Sequence, residues 1–302
     1  MKKEGKMKTN LNGKLFFFFV GQLFFFFVVR LFFFFFAAEF FFFFGGSDIS
    51  ILLRRMTSIC CCLVDVLLSF QHDGLDLWLT DDTIKAVILD MLGGNGTPPT
   101  TLDWAMAEMM RNPRIMKKAQ DEVRRVFDDK LGYVDESNID ELKYLKSIIK
   151  EALRLHPPVP LLLPRKCTKK CEIDGYEIPV DTKIIVNAWA ISRDPKYWEN
   201  PDCFEPERFL DDLVQVDYKG NHFEYIPFGA GRRICPAISL GIANVELPLA
   251  MLLYHFDWML PHGMKHNEMD MTEEFGASAK RAKDLYVVPV IKRPLLPVPP
   301  FK

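Results

Sequence analysis

The chain has 302 residues, of which 49% are hydrophobic and 26% charged, and its formal net charge is −2. That is enough apolar material for one large domain or two of average size, and it excludes both a disordered polyelectrolyte and a strongly basic nucleic-acid binder. Its seven cysteines form an odd set with no CxxC pair, which argues against a secreted disulfide scaffold and for a reducing compartment.

Four runs between Phe16 and Phe44 hold 18 of the 27 phenylalanines. Lys2, Lys3, Lys6, Lys8 and Lys14 precede them, and Gln22, Arg30 and Glu39 interrupt them. A basic flank ahead of an apolar run has the form of a membrane anchor. Arg30, however, leaves two pieces, each shorter than the ~20 residues of a spanning helix. The homopolymer runs equally fit translated pyrimidine tracts at a misplaced gene boundary. Residues 1–62 therefore stand apart as a Phe-rich, low-complexity leader. Cys60, Cys61 and Cys62 go with it, because an adjacent triplet cannot wrap one metal tetrahedrally.

From Leu63 onward, helices come first, short strands in the middle and a helix near the end. Asp81 or Asp82 is placed to cap a helix whose apolar face holds Ile84, Val87, Ile88 and Met91. The stretch from Gly93 to Gly96 interrupts it, and Pro98 with Pro99 should break or kink the ladder. Periodicity resumes through Leu102, Trp104, Ala105, Met109 and Met110, and Pro113 opens a further helix through Val126. The next helix is expected to begin near Ser137 or Asp140 and to end at His156, ahead of Pro157 and Pro158. Near its end, the i,i+3 spacing of Glu151 and Arg154 by itself describes a solvated surface pair. Two alternating segments, Tyr176 to Pro179 and Thr182 to Asn187, read as one small antiparallel sheet about a turn at Val180 and Asp181. Cys167 and Cys171 beside it lack a second Cys/His pair for zinc. Pro206 to Phe209 is a short charged turn whose Arg208 can join Glu151 and Arg154.

The most informative segment runs from Phe228 to Ala237. A glycine-rich loop leads into Cys235, and Pro236 is expected to take the first position of an apolar helix holding Leu240, Ile242, Val245 and Leu249. Cys235 would then stand at a helix N-terminus, where free amides, the helix dipole, Arg232 and Arg233 favour a thiolate. A single thiolate without neighbouring His or Cys ligands suits one axial position on an iron already held by a macrocycle. Gly229 and Gly231 let the backbone approach a flat cofactor closely. The loop lacks the Lys-Ser/Thr ending of a phosphate-binding loop, and no histidine is singled out by its neighbours as the partner of a cysteine nucleophile.

Taken in order, a threonine in an interrupted helix, Glu-x-x-Arg, Pro-Glu-Arg-Phe and Phe-x-x-Gly-x-Arg-x-Cys resemble the carboxy-terminal half of a cytochrome P-450, a haem-thiolate monooxygenase. The segments LDMLGGNGTPPTTLDWAMAEM, KEALRLHPPVPLLLPR and NAWAISRDP are most similar to the plant clan that oxidises terpenoids and other specialised metabolites. The resemblance covers Leu63 to Lys302. It implies a mainly α fold with a small antiparallel β-sheet and haem b as cofactor. It further implies an NADPH-dependent reductase as electron donor, dioxygen and a small apolar molecule as substrates, and attachment to the cytosolic face of the endoplasmic reticulum membrane.

By the same resemblance, Cys235 would be the axial iron ligand, Arg233 and Arg165 partners of the haem propionates, and Phe228 a neighbour of the cysteine sulfur. Gly229, Gly231 and Ala237 would shape the haem loop. Glu151, Arg154 and Arg208 would form a buried network, and Thr97 would help deliver protons to bound oxygen. Gly93, Val159 to Leu163 and the turn at Phe275 and Gly276 would shape the substrate pocket. Departures from the family pattern are specific: Gly96 replaces the acidic residue before Thr97, Pro98 and Pro99 replace small helix formers, Ala237 replaces a glycine and Lys166 an acid. The family's amino-terminal half has no counterpart in this sequence. These departures keep two further expectations open: an inactive fragment that does not retain haem, and dioxygen-independent rearrangement of a pre-oxidised substrate.

Overall fold

The computed structural model describes residues 67–68, 80–129, 133–210, 216–274, 276 and 278–294. The Phe-rich leader, Cys60 to Cys62 and Phe275 lie outside them. The chain divides into two compact units between Asn95 and Gly96. In the first, α1 (Asp81–Gly94) is capped by Thr80, whose Oγ1 accepts the Thr83 amide at 3.2 Å. Asp81 and Asp82, expected to be the cap, instead occupy the first turn, where their charge meets the positive end of the helix dipole.

The second unit is built on α2 (Thr97–Arg111), α3 (Pro113–Asp128) and α4 (Lys143–Leu155). Four short strands and a four-residue helix follow: β1 (Arg165–Lys166), β2 (Cys171–Ile173), β3 (Tyr176–Ile178), β4 (Lys183–Ile184) and α5 (Ala188–Ile191). A long helix, α6 (Ile238–His255), then packs against α2, α3 and α4. α2 is buried nearly all round from Thr100 to Met110, and the other core helices bury a stripe at helical spacing: Ala119, Val123 and Phe127 of α3, Leu145, Ile148 and Ile149 of α4, and Val245, Leu249 and Leu253 of α6. By length and composition α6 could cross a membrane, although these residues are buried in the unit.

Pro98 and Pro99 do not kink a continuous helix. They lie in the first turn of α2, where a missing amide costs no helical hydrogen bond. The helix expected from Ser137 or Asp140 is also divided. A 3₁₀ turn (Glu136–Glu141) is capped by Asp135, and α4 starts afresh at Lys143. Its free amides are met from α3, because the Glu122 carboxylate accepts from both Tyr144 N and Leu145 N at 2.9 Å.

The single small sheet becomes separate antiparallel pairs. β2 turns back into β3 through Asp174 and Gly175, both at positive φ (50° and 79°), a two-residue hairpin matched to strand twist. Tyr176 thus faces Ile173, and β4 pairs instead with β1, Arg165 opposite Ile184. Two further pairs close the chain: β5 (Phe256–Met259) with β8 (Val288–Ile291), and β6 (Glu273–Glu274) with β7 (Lys280–Arg281).

Glu151 and Arg154 are fully buried, so the surface pair that their spacing describes is not what forms. Arg154 Nε and Nη2 donate to the two Glu151 carboxylate oxygens, each at 2.8 Å. Its other N–H groups reach the carbonyls of Ser192, Pro201 and Cys203 at 2.7–3.0 Å, which uses all five donors of a guanidinium. Glu151 also accepts from Glu205 N at 2.9 Å and Arg208 Nε at 3.1 Å. Trp198 packs against both guanidinium groups, with Cζ 5.1 and 6.0 Å from its ring centre. Next to this cluster, the Tyr225 hydroxyl donates to the Lys150 carbonyl at 2.7 Å.

Two stability predictions follow from the buried charges. Glu151→Gln leaves two guanidiniums short of a counter-charge and should cost about 3–5 kcal/mol, read as a lower urea midpoint. Asp103 on α2 behaves oppositely: burial pushes its carboxyl up to about 6, against the pull of Arg281 and with a further push from Asp284. The folded chain therefore holds this proton to higher pH than the unfolded chain. Stability should fall by roughly 3 kcal/mol as pH rises from about 4 to about 6, and urea titrations of Asp103→Asn should lack that fall.

Candidate functional site

The loop around Cys235 is fixed by its own backbone. Gly229 N donates to Ile226 O at 2.9 Å and Cys235 N to Phe228 O at 3.0 Å, folding the cysteine back over the loop's start. Gly229 and Gly231 adopt φ of 73° and 69°, the left-handed region that only glycine enters at little cost. A 3₁₀ turn over Gly231–Arg233 then leads to Ile234 and Cys235. Cys235 does not stand at the helix end as expected: α6 begins at Ile238, with Ala237 as its flanking residue, so Pro236 precedes the helix. The Cys235-to-Phe228 hydrogen bond and the extended ψ of Ile234 (152°) hold this stretch out of helical geometry. Ala237 has negative φ (−107°) and is exposed, so its methyl, in place of the family's glycine, creates no backbone strain.

Neighbouring segments converge on this loop. Phe228 meets Tyr218 edge-on, with ring centres 5.4 Å apart, and a Cβ on Gly241 in α6 would lie 4.0 Å from its ring. Arg165 Nη2 on β1 donates to the Arg233 carbonyl at 3.2 Å, joining the two candidate propionate partners. The Val159 to Leu163 turn approaches from another side: Leu162 N donates to Val159 O at 3.1 Å, and its Cδ1 is 3.9 Å from where a Gly229 Cβ would stand. Val159 is half-buried and Leu163 is exposed.

Gly220 is a supporting residue that the motif reading passes over. It has φ of 83°, and a Cβ there would come within 2.9 Å of Ile234 Cδ1 and 3.3 Å of Ala230 Cα. The Lys219-Gly220-Asn221 turn is the signal that could have drawn attention to it.

Thr97 is the first residue of α2 and is half-buried; its carbonyl accepts from Thr101 Oγ1 at 3.2 Å. One step earlier, the Gly96 carbonyl accepts from Thr100 Oγ1 at 2.9 Å, and Thr100 shares a 3.2 Å hydrogen bond with Ser278. The β6–β7 hairpin is tied to the same helix by Trp104 Nε1, which donates to Ala279 O at 3.1 Å. His156 stacks on Trp104 at 3.8 Å and lies between Glu108 and Glu273, at 2.8 and 3.1 Å. Its hydrogen bond is the main cause that lowers the Glu273 carboxyl, working against burial. Gly276 is thus on a hairpin anchored to α2, whereas Gly93 is in the last turn of α1, in the first unit.

Among the described residues, no group of three or more His, Cys, Asp and Glu side chains is placed to hold a metal ion. The loop offers one sulfur, two left-handed glycines and two adjacent arginines. That donor set fits an axial ligand to an iron held by a planar macrocycle better than it fits a metal cage.

Comparisons with known proteins agree with this geometry. Salviol synthase of Salvia pomifera is 67% identical over 234 residues, 77% of this chain and 46% of that protein. Premnaspirodiene oxygenase of Hyoscyamus muticus is 58% identical over 228 residues, 75% and 45% of the two chains. Among solved structures, a zebra fish cytochrome P450 with abiraterone superposes with a TM-score of 0.66 at 27% identity, covering 80% of this chain and 56% of that one. The chain spans about half the length of the curated relatives it matches. The family described as cytochrome P450 matches residues 53–286, and the chain belongs to it.

Proposed function

We propose that this chain carries the haem-thiolate half of a monooxygenase that hydroxylates a small apolar metabolite such as a terpenoid. The observation that carries this reading is the Cys235 loop, in which backbone hydrogen bonds and two left-handed glycines fold Cys235 back over Phe228, while Arg165 donates to the Arg233 carbonyl two residues before the cysteine. When bound, haem b supplies the redox chemistry that activates dioxygen. Cys235 would hold the haem iron through its sulfur, Arg233 and Arg165 would pair with the propionates, and Phe228 would shield the sulfur from water. Thr97 would hold a proton-donating hydroxyl at the start of α2. Val159 and Leu163 would border the substrate. Electrons would come from an NADPH-dependent reductase docking near exposed Arg232, at the cytosolic face of the endoplasmic reticulum membrane.

A second reading, dioxygen-independent rearrangement of a pre-oxidised substrate, is favoured by Gly96, which places no carboxyl beside Thr97. Turnover of a hydroperoxide without reductase would select it.

The deciding measurement is the carbon monoxide difference spectrum of the reduced, haem-supplemented chain. A thiolate-type Soret band is expected, lost in Cys235→Ser. No haem uptake, or a band that the variant keeps, overturns the reading in favour of an inactive fragment. Gly96 has φ of −79°, which any L residue adopts, so Gly96→Asp should be accommodated and should restore the acid. With reductase present, it is expected to raise the product formed per NADPH several-fold and to lower peroxide release.

A further inference from the structure

Outside the Cys235 loop, two thiols meet on the surface. Cys167, one residue beyond β1, and Cys171, the first residue of β2, have their sulfurs 3.7 Å apart. Cys171 is exposed and Cys167 half-buried. Their backbones are held by different hairpins. Cys167 N donates to Thr182 O at 2.9 Å and its carbonyl accepts from Asp181 N at 2.8 Å, while Cys171 lies opposite Ile178. The contact is thus made by the fold of two hairpins and not only by the four-residue spacing. The pair is not half of a metal cage, since no third His, Cys, Asp or Glu joins it among the described residues.

We infer that Cys167 and Cys171 form a redox-active dithiol that closes reversibly to a disulfide, a modification site separate from Cys235. Closure brings the sulfurs to about 2 Å, which rotation of an exposed side chain can supply. The hydrogen bond with Cys167 pushes the Cys171 thiol up, and the Cys167 thiol also donates to the Lys169 carbonyl at 2.8 Å. With glutathione disulfide as oxidant, the Cys167 thiolate attacks one of its sulfurs, expels a glutathione thiolate and becomes a mixed disulfide. Cys171 then loses its proton to solvent and attacks the Cys167 sulfur, expelling the second glutathione. Two protein thiols are oxidised by two electrons, one glutathione disulfide is reduced to two glutathiones, and the two protons released end on their thiols. The product staples the β1–β4 pair to the β2–β3 hairpin beside Arg165.

The test uses the whole chain, equilibrated in glutathione buffers of increasing oxidised fraction, trapped with iodoacetamide and read by peptide mass spectrometry. The peptide holding residues 167–171 is expected to lose two hydrogens and resist alkylation, and to recover on return to reduced glutathione. Cys203, which is exposed, serves as the reference that continues to alkylate. Cys171→Ser should stop at a glutathione adduct on Cys167. Because the fold holds the sulfurs together, closure should need about a tenfold less oxidising buffer in the folded chain than in urea. Full alkylation at every ratio, a persistent adduct on the wild-type chain, or equal closure in urea would overturn the proposal. None of these readouts depends on haem.

Discussion

The buried carboxylate of Glu151 is the constraint on which much of the second unit depends. An ion pair taken out of water is tolerable only when every donor and acceptor it carries is satisfied. Arg154 and Glu151 cannot do this between themselves, because a single carboxylate accepts only part of a guanidinium's donors. The balance comes from chain far away in sequence: three carbonyls between Ser192 and Cys203, the amide of Glu205 and the guanidinium of Arg208. Satisfying the pair therefore dictates the path of residues 192–208. Trp198, packed on the two guanidinium groups, meets Tyr225, whose hydroxyl is bonded to α4 one residue before Glu151. The cysteine loop starts at the next residue, Ile226, so its position is inherited from the buried charges.

The remaining helix ends follow the same rule that no backbone donor is buried alone. Glu122 meets two amides of α4, welding α3 to α4 with one carboxylate. At the other end of α4 the Leu155 carbonyl accepts from Arg193, and next to it Glu108 of α2 and Glu273 of β6 share the His156 ring. The beginnings of α2, α3 and α6 lack a side-chain cap. Gly96 brings no side-chain acceptor to the start of α2, and Pro98 and Pro99 reduce the number of amides that need one. The prolines therefore make a helix start without a polar cap workable, while the missing acid removes the group that would sit beside Thr97.

How much was legible depended on whether a feature is local. The helices α2, α3 and α6 announce themselves through apolar spacing, and the order of motifs points to the family. The spacing of Glu151 and Arg154 predicts their contact but not their burial, because burial is imposed by residues some 40–50 positions later, a distance that sequence periodicity does not encode. The strand pairing was misread although its signal was present: Asp174-Gly175 is a hairpin turn sequence, and it outranks the Val180–Asp181 turn on which a single sheet would depend. The start of α6 was placed too early because Pro236 is a good first helical residue. The long-range hydrogen bond from Cys235 to Phe228 wins over that local preference. Thr100 and Ser278 carry no motif, and only the folded contacts give them a role, whereas Gly220 had at least a turn signal beside it.

The two faces of the candidate site consequently answer to different physics. On the cysteine side, geometry is set by backbone hydrogen bonds, positive-φ glycines and a buried ion cluster, none of which tolerates exchange without an energetic penalty of several kcal/mol or a broken loop. On the α2 side, the Thr100–Ser278 hydroxyl pair is a single part-buried hydrogen bond worth about 1 kcal/mol, whereas Trp104, fully buried and stacked on His156, is as costly to change as the ion cluster. A chain built in this way can keep the fold of its Cys235 loop while the Thr100–Ser278 contact at the start of α2 changes. That asymmetry is why the backbone geometry of the Cys235 loop, rather than the start of α2, carries the proposed function.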